Sequence, residues 1–471
     1  MRFILGLAIY RLLLPLLFMA AFPGWLVKML RRGGFGTRLG ERVAVYPAAT
    51  KDEPRGATHV HAVSVGEAML ALKLIREWRI TEPGRRFVVA TGTATGHAVA
   101  TAAQLLDVRV TYAPLDFPGM VRRYLRHFEP SQIILIEGEA WPNLLRACRR
   151  RQIPVSLVNA RLSPHSAARY QRFAAWVRPV FGMLDALAIQ DPEDAAIWRN
   201  LGVPAAKIHT TGSLKIDPSS GPIPTRRPGF QAIINALAGA NESRRVILAA
   251  STHAGEEPWI ATAIRDAAPA ALALVAPRHA ERREQVKSDL QRGGFGAVLR
   301  STFDQDHESW VMGSEGHGRP GRDGPLDLTN KTPPCLVIDT TGELRDWTAH
   351  ADVVIIGKSF LATGGQNPCE AIVAEKPVIF GPHMENFEPL AASLIAANAA
   401  FLARDQAALS AAILRALDPT QAQAATTRAT AILKRHQGAT RRIVELLAEL
   451  GSTPLAAGRD ARHSCRAANA R

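Results

Sequence analysis

Residues 59–78, HVHAVSVGEAMLALKLIREW, pass from a short β-branched run directly into an amphipathic stretch. The first seven residues predict a buried strand, and the apolar residues that follow recur at helical spacing to about Arg79. Glu67 stands at the junction, in the first turn of the predicted helix, where the positive end of the helix dipole favours an ionised carboxylate. A carboxylate held there is ready to accept a proton, although a first-turn glutamate more commonly only caps its helix.

Further runs of the same kind continue the alternation of strands and helices to residue 217. They are RFVVATGT, VRVTYAP, SQIILIEGE, IPVSLVNAR, ALAIQ and IHTTGS. A linker rich in proline and glycine, 218–230, follows them. Continuous apolar strands separated by helices predict a parallel sheet that is covered on both faces.

A second set of strands begins after the linker. Its members are VILAAS, ALALVAP, CLVIDT, DVVIIGK and PVIFGP, and an Ala-rich helical segment follows near residues 388–450. The sequence therefore predicts an α/β protein with two Rossmann-like domains, 46–217 and 231–450. We expect the carboxyl ends of their strands to face a central cleft, where ligands bind in such sheets.

Three segments depart from this pattern. Residues 302–331 carry glycine and charge without periodicity, which predicts a surface loop insertion. Residues 451–471 lack an apolar face and are expected to be disordered. Residues 1–45 contain a long apolar run, 3–27, and the basic residues that follow it.

The apolar run predicts an uncleaved membrane anchor rather than a secretory signal. Basic residues crowd the C-terminal side of the run, whereas a secretory signal carries its charge ahead of the apolar run and ends at a small-residue cleavage site. Because Lys and Arg next to membrane segments are enriched on the cytoplasmic side, we expect the body of the protein to lie in the cytoplasm. Because Arg11, Pro15 and Pro23 interrupt the run, the anchor fits both a spanning and an interfacial arrangement.

Charge and cysteine content narrow the class of protein. The formal net charge is +15, which suits an anionic partner such as a phosphorylated substrate, a membrane surface or nucleic acid. No aromatic-plus-basic motif of the kind used by single-strand binders is present, so nucleic acid is not expected. The four cysteines are scattered without a C-x-x-C pair, which argues against a disulfide framework and a zinc knuckle and favours a reducing compartment.

Several polar motifs directly follow predicted strands. In the first half these are Glu137 and Glu139, in IEGEAWPN, and Lys215, in GSLKID. Two carboxylates can orient a base or a substrate, and a lysine can offset the charge of a leaving phosphate. Acid pairs at strand ends are also common as solvated caps, and loop lysines are commonly only solvated.

The second half has the features of a nucleotide pocket. Arg278 follows the strand ALALV, and Gly364, Gly365 and Asn367 precede a predicted helix with Glu370 in its first turn. Glycines let the backbone approach a phosphate, an arginine neutralises it and a carboxylate holds ribose hydroxyls. A tight turn before a helix explains the same residues structurally.

A metal site is not expected. His253 and Glu256 have the spacing of a ligand pair, but no third ligand stands nearby in the sequence.

Eight motifs, in order, resemble the bacterial 3-deoxy-D-manno-octulosonic acid (Kdo) transferase family. They are HAVSVGE, EGEAWPNLL, NARLSPHSAARY, TGSLKID, ASTHAGEE, APRHAER, TGEL and GGQNPCEA. The resemblance runs from about residue 4 to 450 and misses only the insertion and the tail. It implies a GT-B glycosyltransferase that moves Kdo from CMP-Kdo to the lipid A precursor at the cytoplasmic face of the inner membrane, without a cofactor or a bound metal.

The resemblance also implies roles for individual residues. Glu67 is then the general base, and Glu139 and Lys215 stabilise the transition state. The residues implied in CMP binding are Pro277, Arg278, Thr341, Gly342, Glu343, Asn367, Pro368, Cys369 and Glu370.

The chain departs from the family pattern at single positions within these motifs. Typical members are expected to carry ETELWPN, GNLK, MGEL and GGHNPLE. The residues that differ here are Gly138, Ala140, Ser213, Thr341, Gln366 and Cys369. The acidic, basic and asparagine positions are kept, and Gln366 in place of histidine affects mainly the finer contacts of the nucleotide pocket.

Two other classes of function fit parts of the sequence. Another GT-B enzyme, such as a nucleotide-sugar epimerase or a different lipid glycosyltransferase, would share the sheets and the phosphate pocket, but an epimerase needs no anchor. A non-catalytic basic protein that binds nucleic acid or membranes would share only the charge.

Overall fold

The computed structural model describes residues 2–31, 38–46, 54–138, 140–218, 224–238, 244–303 and 333–452. The chain divides into two compact units, one comprising Met1–Ser220 and His436–Arg471 and the other Gly221–Arg435. Glu139, nearly all of the predicted insertion 302–331 and nearly all of the predicted tail 451–471 lie outside the described residues.

The first unit is built on a seven-stranded parallel sheet. Its strands are β1 (Thr58–Ala62), β2 (Phe87–Thr91), β3 (Val108–Tyr112), β4 (Gln132–Ile136), β5 (Val155–Ala160), β6 (Ala186–Ile189) and β7 (Ile208–Thr210). They lie in the order β3-β2-β1-β4-β5-β6-β7. The chain order reverses between β1 and β4, so this is the point at which ligands bind in such sheets.

The helices of the first unit cover both faces of the sheet. They are α1 (Arg2–Arg31), α2 (Leu39–Arg42), α3 (Val65–Thr81), α4 (Ala94–Ala102), α5 (Pro118–Phe128), α6 (Pro142–Arg151), α7 (Pro164–Arg172), α8 (Ala174–Phe181) and α9 (Ala195–Asn200). On one face of the sheet, Leu74, Ile75 and Trp78 of α3 are fully buried against Val60. Burial of side chains of this size stabilises the fold by about 1.5–3 kcal/mol each.

Helix α1 begins the chain as a 30-residue apolar helix. Its window Leu5–Gly24 has a mean hydropathy of 2.0 and is long and apolar enough to cross a membrane. Pro15 and Pro23 both lie inside the helix.

The second unit contains another seven-stranded parallel sheet. Its strands are β8 (Val246–Thr252), β9 (Leu272–Pro277), β10 (Gly296–Leu299), β11 (Pro334–Val337), β12 (Val353–Ile356), β13 (Val378–Phe380) and β14 (Phe401–Leu402). They lie in the order β10-β11-β9-β8-β12-β13-β14, which reverses between β8 and β12. The sequence did not predict β10 and β14, because glycines precede and start β10 and an Ala-rich stretch of helical character surrounds the two residues of β14.

The helices of the second unit follow the same alternation. They are α10 (Pro228–Ala238), α11 (Glu256–Ala267), α12 (Arg283–Arg292), α13 (Leu344–His350), α14 (Cys369–Val373), α15 (Glu388–Ala396), α16 (Gln406–Leu417) and α17 (Pro419–Lys434). Helix α10 begins at Pro228, two residues before the predicted end of the linker, because proline suits the first position of a helix.

The last helix, α18 (Ala439–Ser452), belongs to the first unit, although the sequence places it with the second domain. Asp217 caps it across the chain: its Oδ2 accepts hydrogen bonds from the Thr440 amide at 2.8 Å and the Thr440 hydroxyl at 2.6 Å. Ile443 and Leu447 are fully buried in the core beside α3. Hydrogen bonds between residues so far apart in the sequence cannot be predicted from a local sequence pattern.

Candidate active site

Glu67 lies at the start of α3, at the point where the first sheet reverses its strand order. Ser64 caps the helix, accepting a hydrogen bond from the Glu67 amide at 3.2 Å. The Glu67 carboxylate in turn accepts from the Ser64 hydroxyl at 2.8 Å and from the Val63 amide at 2.7 Å. This reciprocal capping box fixes the orientation of a carboxylate that is only 9% exposed.

The capping bonds leave part of the carboxylate available. Each carboxylate oxygen has two lone-pair directions, and the described bonds use one on each oxygen of Glu67. The structural role of Glu67 in the cap therefore does not use all of the acceptor capacity of its carboxylate.

A second acid, Glu137, follows β4 on the other side of the reversal. Burial raises the pKa of Glu137, and the negative charge of Glu67 raises it further, while Lys215 and Arg161 act in the opposite direction. Glu67, Glu137, Lys215 and Arg161 thus form one electrostatically coupled cluster at the carboxyl edge of the sheet. Glu139, which the sequence assigns to this site, lies outside the described residues.

Lys215 supplies positive charge to this cluster. The residue is exposed as a whole, yet partial burial of its ammonium group lowers the pKa of Lys215. The negative charge of Glu137 raises this pKa and the positive charge of Arg161 lowers it. An ammonium group in such a position responds directly to the charge of its neighbours.

The loop that carries Lys215 is fixed by side chains that the sequence analysis did not assign. Asn159 Oδ1 accepts a hydrogen bond from the Leu214 amide at 2.9 Å, and Asn159 is 1% exposed. Lys73 donates to the Leu214 carbonyl, and His436 Nδ1 accepts from the Ser213 amide at 3.2 Å. These bonds hold the two residues that precede Lys215.

The second unit contains a cavity of about 230 Å³ at its own reversal, beside β8 and β12. Its walls include Ser251 at the end of β8, Arg278 after β9, and Gln366, Asn367 and Glu370 around the start of α14. Three residues predicted to bind CMP, namely Arg278, Asn367 and Glu370, therefore line one cavity.

Of the two charged residues that line this cavity, Glu370 lies near an oppositely charged side chain that the structure describes and Arg278 does not. Within the described residues, the Arg278 guanidinium forms no ion pair, and the residue is exposed. Glu370 Oε1 lies 3.8 Å from Arg345 Nη2. Asn367 Oδ1 accepts from the Cys369 amide at 3.0 Å, and Pro368 and Cys369 continue into the short helix α14. Arg278 is thus the cation in this cavity that is available to an anionic ligand.

The TGE run lies beside this cavity but does not line it. The Glu343 carboxylate accepts hydrogen bonds from Arg300 Nε and Nη2, both at 3.2 Å, and from the Thr340 hydroxyl at 2.6 Å. Thr341 is exposed, and Gly342 has a φ of +89° that favours glycine. Glu343 therefore orders the turn that precedes α13, and Pro277 ends β9 just before Arg278.

Glu256 organises the loops around the second reversal. Its buried carboxylate accepts from the backbone amides of His253 at 2.9 Å, Lys358 at 2.6 Å and Phe360 at 3.2 Å. Among the described residues, no group of three or more His, Cys, Asp and Glu side chains is placed to hold a metal ion.

Non-glycine residues with left-handed backbone lie at strand ends in both sites. Their φ values are +68° for Glu137, +54° for Asn159, +55° for Ser251 and +55° for Lys358. Such conformations cost on the order of 1–3 kcal/mol each and persist where surrounding contacts enforce them, which is common at ligand sites.

Comparisons with known proteins identify the family. The profile described as 3-Deoxy-D-manno-octulosonic-acid transferase (kdotransferase) matches residues 37–218. A 3-deoxy-D-manno-octulosonic acid transferase of Bordetella pertussis is 36% identical over 400 residues, which are 82% of this chain and 86% of the relative. The chain belongs to the Kdo transferase family. A Kdo transferase of Haemophilus influenzae is 30% identical over 87% of this chain and 90% of the relative.

A solved structure confirms the fold expected of a Kdo transferase. UDP-GlcNAc 2-epimerase from Neisseria meningitidis bound to UDP-GlcNAc is similar with a TM-score of 0.50 and 12% identity, over 83% of this chain and 99% of that chain. The two parallel sheets and this likeness confirm an α/β architecture of the GT-B kind.

The sequence signals for the newly found residues of this Kdo transferase differ in strength. Ser64 and Glu67 form the S-x-x-E pattern of a capping box, which is visible in the sequence. Asn159 follows an apolar strand run, in a motif that carries the family resemblance. Arg300 has no such signal, because its partner Glu343 is remote in the sequence.

Proposed function

We propose that this chain transfers Kdo from CMP-Kdo to the lipid A precursor, lipid IV(A), by direct displacement in lipopolysaccharide synthesis. The observation that carries the proposal is the charge cluster of Glu67, Glu137, Lys215 and Arg161 at the reversal of the first sheet. Membership of the Kdo transferase family indicates that Kdo is the sugar transferred.

Glu67 acts as the general base in this reaction. The acceptor hydroxyl has a pKa far above 7, so its oxygen becomes an effective nucleophile only as the proton leaves. A positioned carboxylate that takes this proton contributes about 10²- to 10⁴-fold to the rate. The capping bonds from Ser64 and Val63 support this role because they hold the carboxylate in one orientation.

Bond formation and cleavage then balance in a single displacement. The acceptor oxygen bonds to the anomeric carbon of Kdo, the bond from that carbon to the phosphate of CMP breaks, and CMP leaves with the electron pair. Lys215 and Glu139 stabilise the charges of the transition state. Fixed charges of this kind are typically worth a few kcal/mol each.

The cavity of the second unit binds the CMP portion of the donor. Arg278 pairs with the phosphate, and Asn367 and Glu370 hold the remainder of the nucleotide. Pro277, Pro368 and Cys369 shape the backbone around them. Thr341, Gly342 and Glu343 order the adjoining turn, with Glu343 anchored by Arg300. The reaction proceeds without a cofactor or a bound metal ion.

The N-terminal helix attaches the enzyme to the cytoplasmic face of the bacterial inner membrane. Its apolar window and the basic residues after it support this location. The anionic membrane surface attracts nearby basic residues by about 1 kcal/mol each. The partners are thus CMP-Kdo, the lipid acceptor and the membrane surface, with no nucleic acid.

Incubation of the protein with CMP-Kdo and a tetra-acylated, bisphosphorylated glucosamine disaccharide tests this proposal. We expect CMP release together with a lipid product that is heavier by one or more Kdo residues in mass spectrometry. Release of CMP without a heavier lipid would count against transfer. Salt-sensitive retention on DNA without turnover would instead support a non-catalytic basic protein.

A further inference from the structure

An apolar cavity of about 220 Å³ lies between the N-terminal helix and the body of the first unit. Its walls include Leu7 and Tyr10 of α1, Pro142 at the start of α6, and Trp176 and Val177 of α8. Trp176 is 43% exposed although it lines the cavity, so the cavity opens towards the surface.

Exposed apolar side chains also lie on or next to the two helices that line this cavity. Phe173, just before α8, is 52% exposed, and Leu12, Leu16 and Met19 on α1 are each at least 60% exposed. Isolated exposed apolar residues are ordinary, but several along one helix mark an interaction surface. Contact of this helix with membrane lipid, as proposed above, would bring hydrocarbon chains beside the cavity.

A second, polar cavity of about 90 Å³ lies next to the first. Five arginines line it, from α1, α5 and α6, and no carboxylate does: Arg11, Arg122, Arg146, Arg150 and Arg151. Burial and the positive charges of Arg150 and Arg11 lower the pKa of Arg146, as expected where like charges crowd together. A site with this charge is complementary to a phosphate.

The two cavities meet at adjacent residues. Tyr10 and Pro142 line the apolar cavity, and their chain neighbours Arg11 and Asn143 line the arginine cavity. Consecutive Cα atoms lie only about 3.8 Å apart, so the two cavities lie side by side along the same segments.

A buried hydrogen-bond network fixes this junction. Asp116 Oδ2 accepts from the Tyr10 hydroxyl at 3.0 Å and from the Asn143 amide at 2.9 Å, and Arg11 Nε donates to Asn143 Oδ1 at 2.7 Å. The network explains why an arginine interrupts the apolar helix: Arg11 is directed to the body of the protein. It also holds the two cavities in a fixed relation.

We propose that these cavities bind the acceptor lipid, with one acyl chain in the apolar cavity and one phosphate in the arginine cavity. The inference rests on the proposed function and adds to it a binding site for the acceptor. The apolar cavity also includes Ala140, in the short segment between Glu137 and α6. Because Ala140 closely follows Glu137 in the sequence, a lipid bound in the apolar cavity would lie near the charge cluster. This position favours the acceptor over a bulk membrane lipid.

The test compares three acceptors with two variants. The acceptors are the bisphosphorylated tetra-acylated disaccharide, its deacylated form and its dephosphorylated form. Val177→Phe fills the apolar cavity, and the double variant Arg146→Gln, Arg150→Gln removes two charges from the arginine cavity. Leu106→Phe, at an exposed apolar position of the first unit, and the double variant Arg76→Gln, Arg86→Gln on exposed positions are the matched controls.

Each variant should lose the preference for one chemical group. We expect Val177→Phe to reduce kcat/KM for the acylated acceptor about tenfold more than for the deacylated one, since each methylene excluded from an apolar site costs roughly fourfold. The arginine variant should reduce kcat/KM for the phosphorylated acceptor about 10- to 30-fold more than for the dephosphorylated one. The controls should leave both preferences as in the wild type.

Two outcomes would overturn the assignment. One is an equal loss on all acceptors in a variant whose thermal unfolding matches the wild type. Another is an arginine variant that loses binding to phosphatidylglycerol vesicles while its acceptor preferences stay unchanged, which would assign the cavity to bulk membrane lipid. If Val177→Phe fails to fold, Val180→Phe fills the same cavity. A wild-type protein that transfers Kdo to none of the acceptors would overturn the proposed function itself.

Discussion

Ser64 and Glu67 hydrogen-bond to each other in both directions across the first turn of α3. The Ser64 hydroxyl donates to Glu67 Oε1 at 2.8 Å, and the Glu67 amide donates to the Ser64 hydroxyl oxygen at 3.2 Å. The proposed base is therefore also half of a helix cap. The proposal therefore couples stability and catalysis at this position.

Removal of the cap separates these two contributions. We expect Ser64→Ala to lower the free energy of unfolding by about 1 kcal/mol and also to lower kcat, because Glu67 loses one of the donors that orient it. Ser64→Thr, which keeps the hydroxyl, should restore both. Chemical denaturation and steady-state kinetics measure the two effects.

The matched control is Asp405→Ala in the second unit, where Asp405 caps α16 by accepting from the Ala408 amide at 2.7 Å. This variant should lose similar stability while kcat remains that of the wild type. A Ser64→Ala enzyme with unaltered kcat would show that Glu67 does not depend on its cap for orientation.

The pH dependence of kcat should report on Lys215. In the proposed mechanism the ammonium of Lys215 is needed in the charged form, so activity should fall as pH rises through the pKa of Lys215. Because Glu137 raises this pKa, Glu137→Gln should move the alkaline limb to lower pH. Lys215→Arg should move the limb to higher pH, since a guanidinium stays charged.

Lys207→Arg, on the edge of the first sheet, provides the control and should leave the pH profile unchanged. An alkaline limb that moves to higher pH in Glu137→Gln would contradict the coupling between Glu137 and Lys215.

Donor affinity should depend on Arg278. Loss of a charge-assisted hydrogen bond costs about 1.5–3 kcal/mol, so Arg278→Ala should weaken CMP binding roughly 10- to 100-fold in calorimetry. The exposed Arg404 of the same unit serves as control, and Arg404→Ala should bind CMP normally. Equal affinities for CMP in the two variants would remove Arg278 from the nucleotide site.

The parts of the site that local pattern reveals are those that follow strands. Glu67, Arg278 and Asn367 were predicted because each lies in a loop or helix start that follows an apolar run. The apolar runs themselves predicted twelve of the fourteen described strands. The edge strands β10 and β14 were missed because β10 follows a glycine-rich run and β14 has only two residues, inside an Ala-rich stretch that reads as helix.

Contacts between residues that are distant in the sequence account for the remaining differences between the predictions and the structure. The Asp217 cap assigns α18 to the first unit, and the Arg300 pair holds Glu343 away from the cavity walls. Neither contact has a local signature, because each depends on how distant segments pack. The predicted role of Glu139 stays a prediction.

The most direct test of the account is the behaviour of Glu67→Gln. Glutamine keeps the size of the side chain and one acceptor oxygen for the cap but cannot take up a proton at neutral pH. We predict that single-turnover Kdo transfer falls by about 10²- to 10⁴-fold while calorimetry gives the wild-type affinity for CMP. A variant that still transfers Kdo at the wild-type rate would contradict the assignment of Glu67 as the general base.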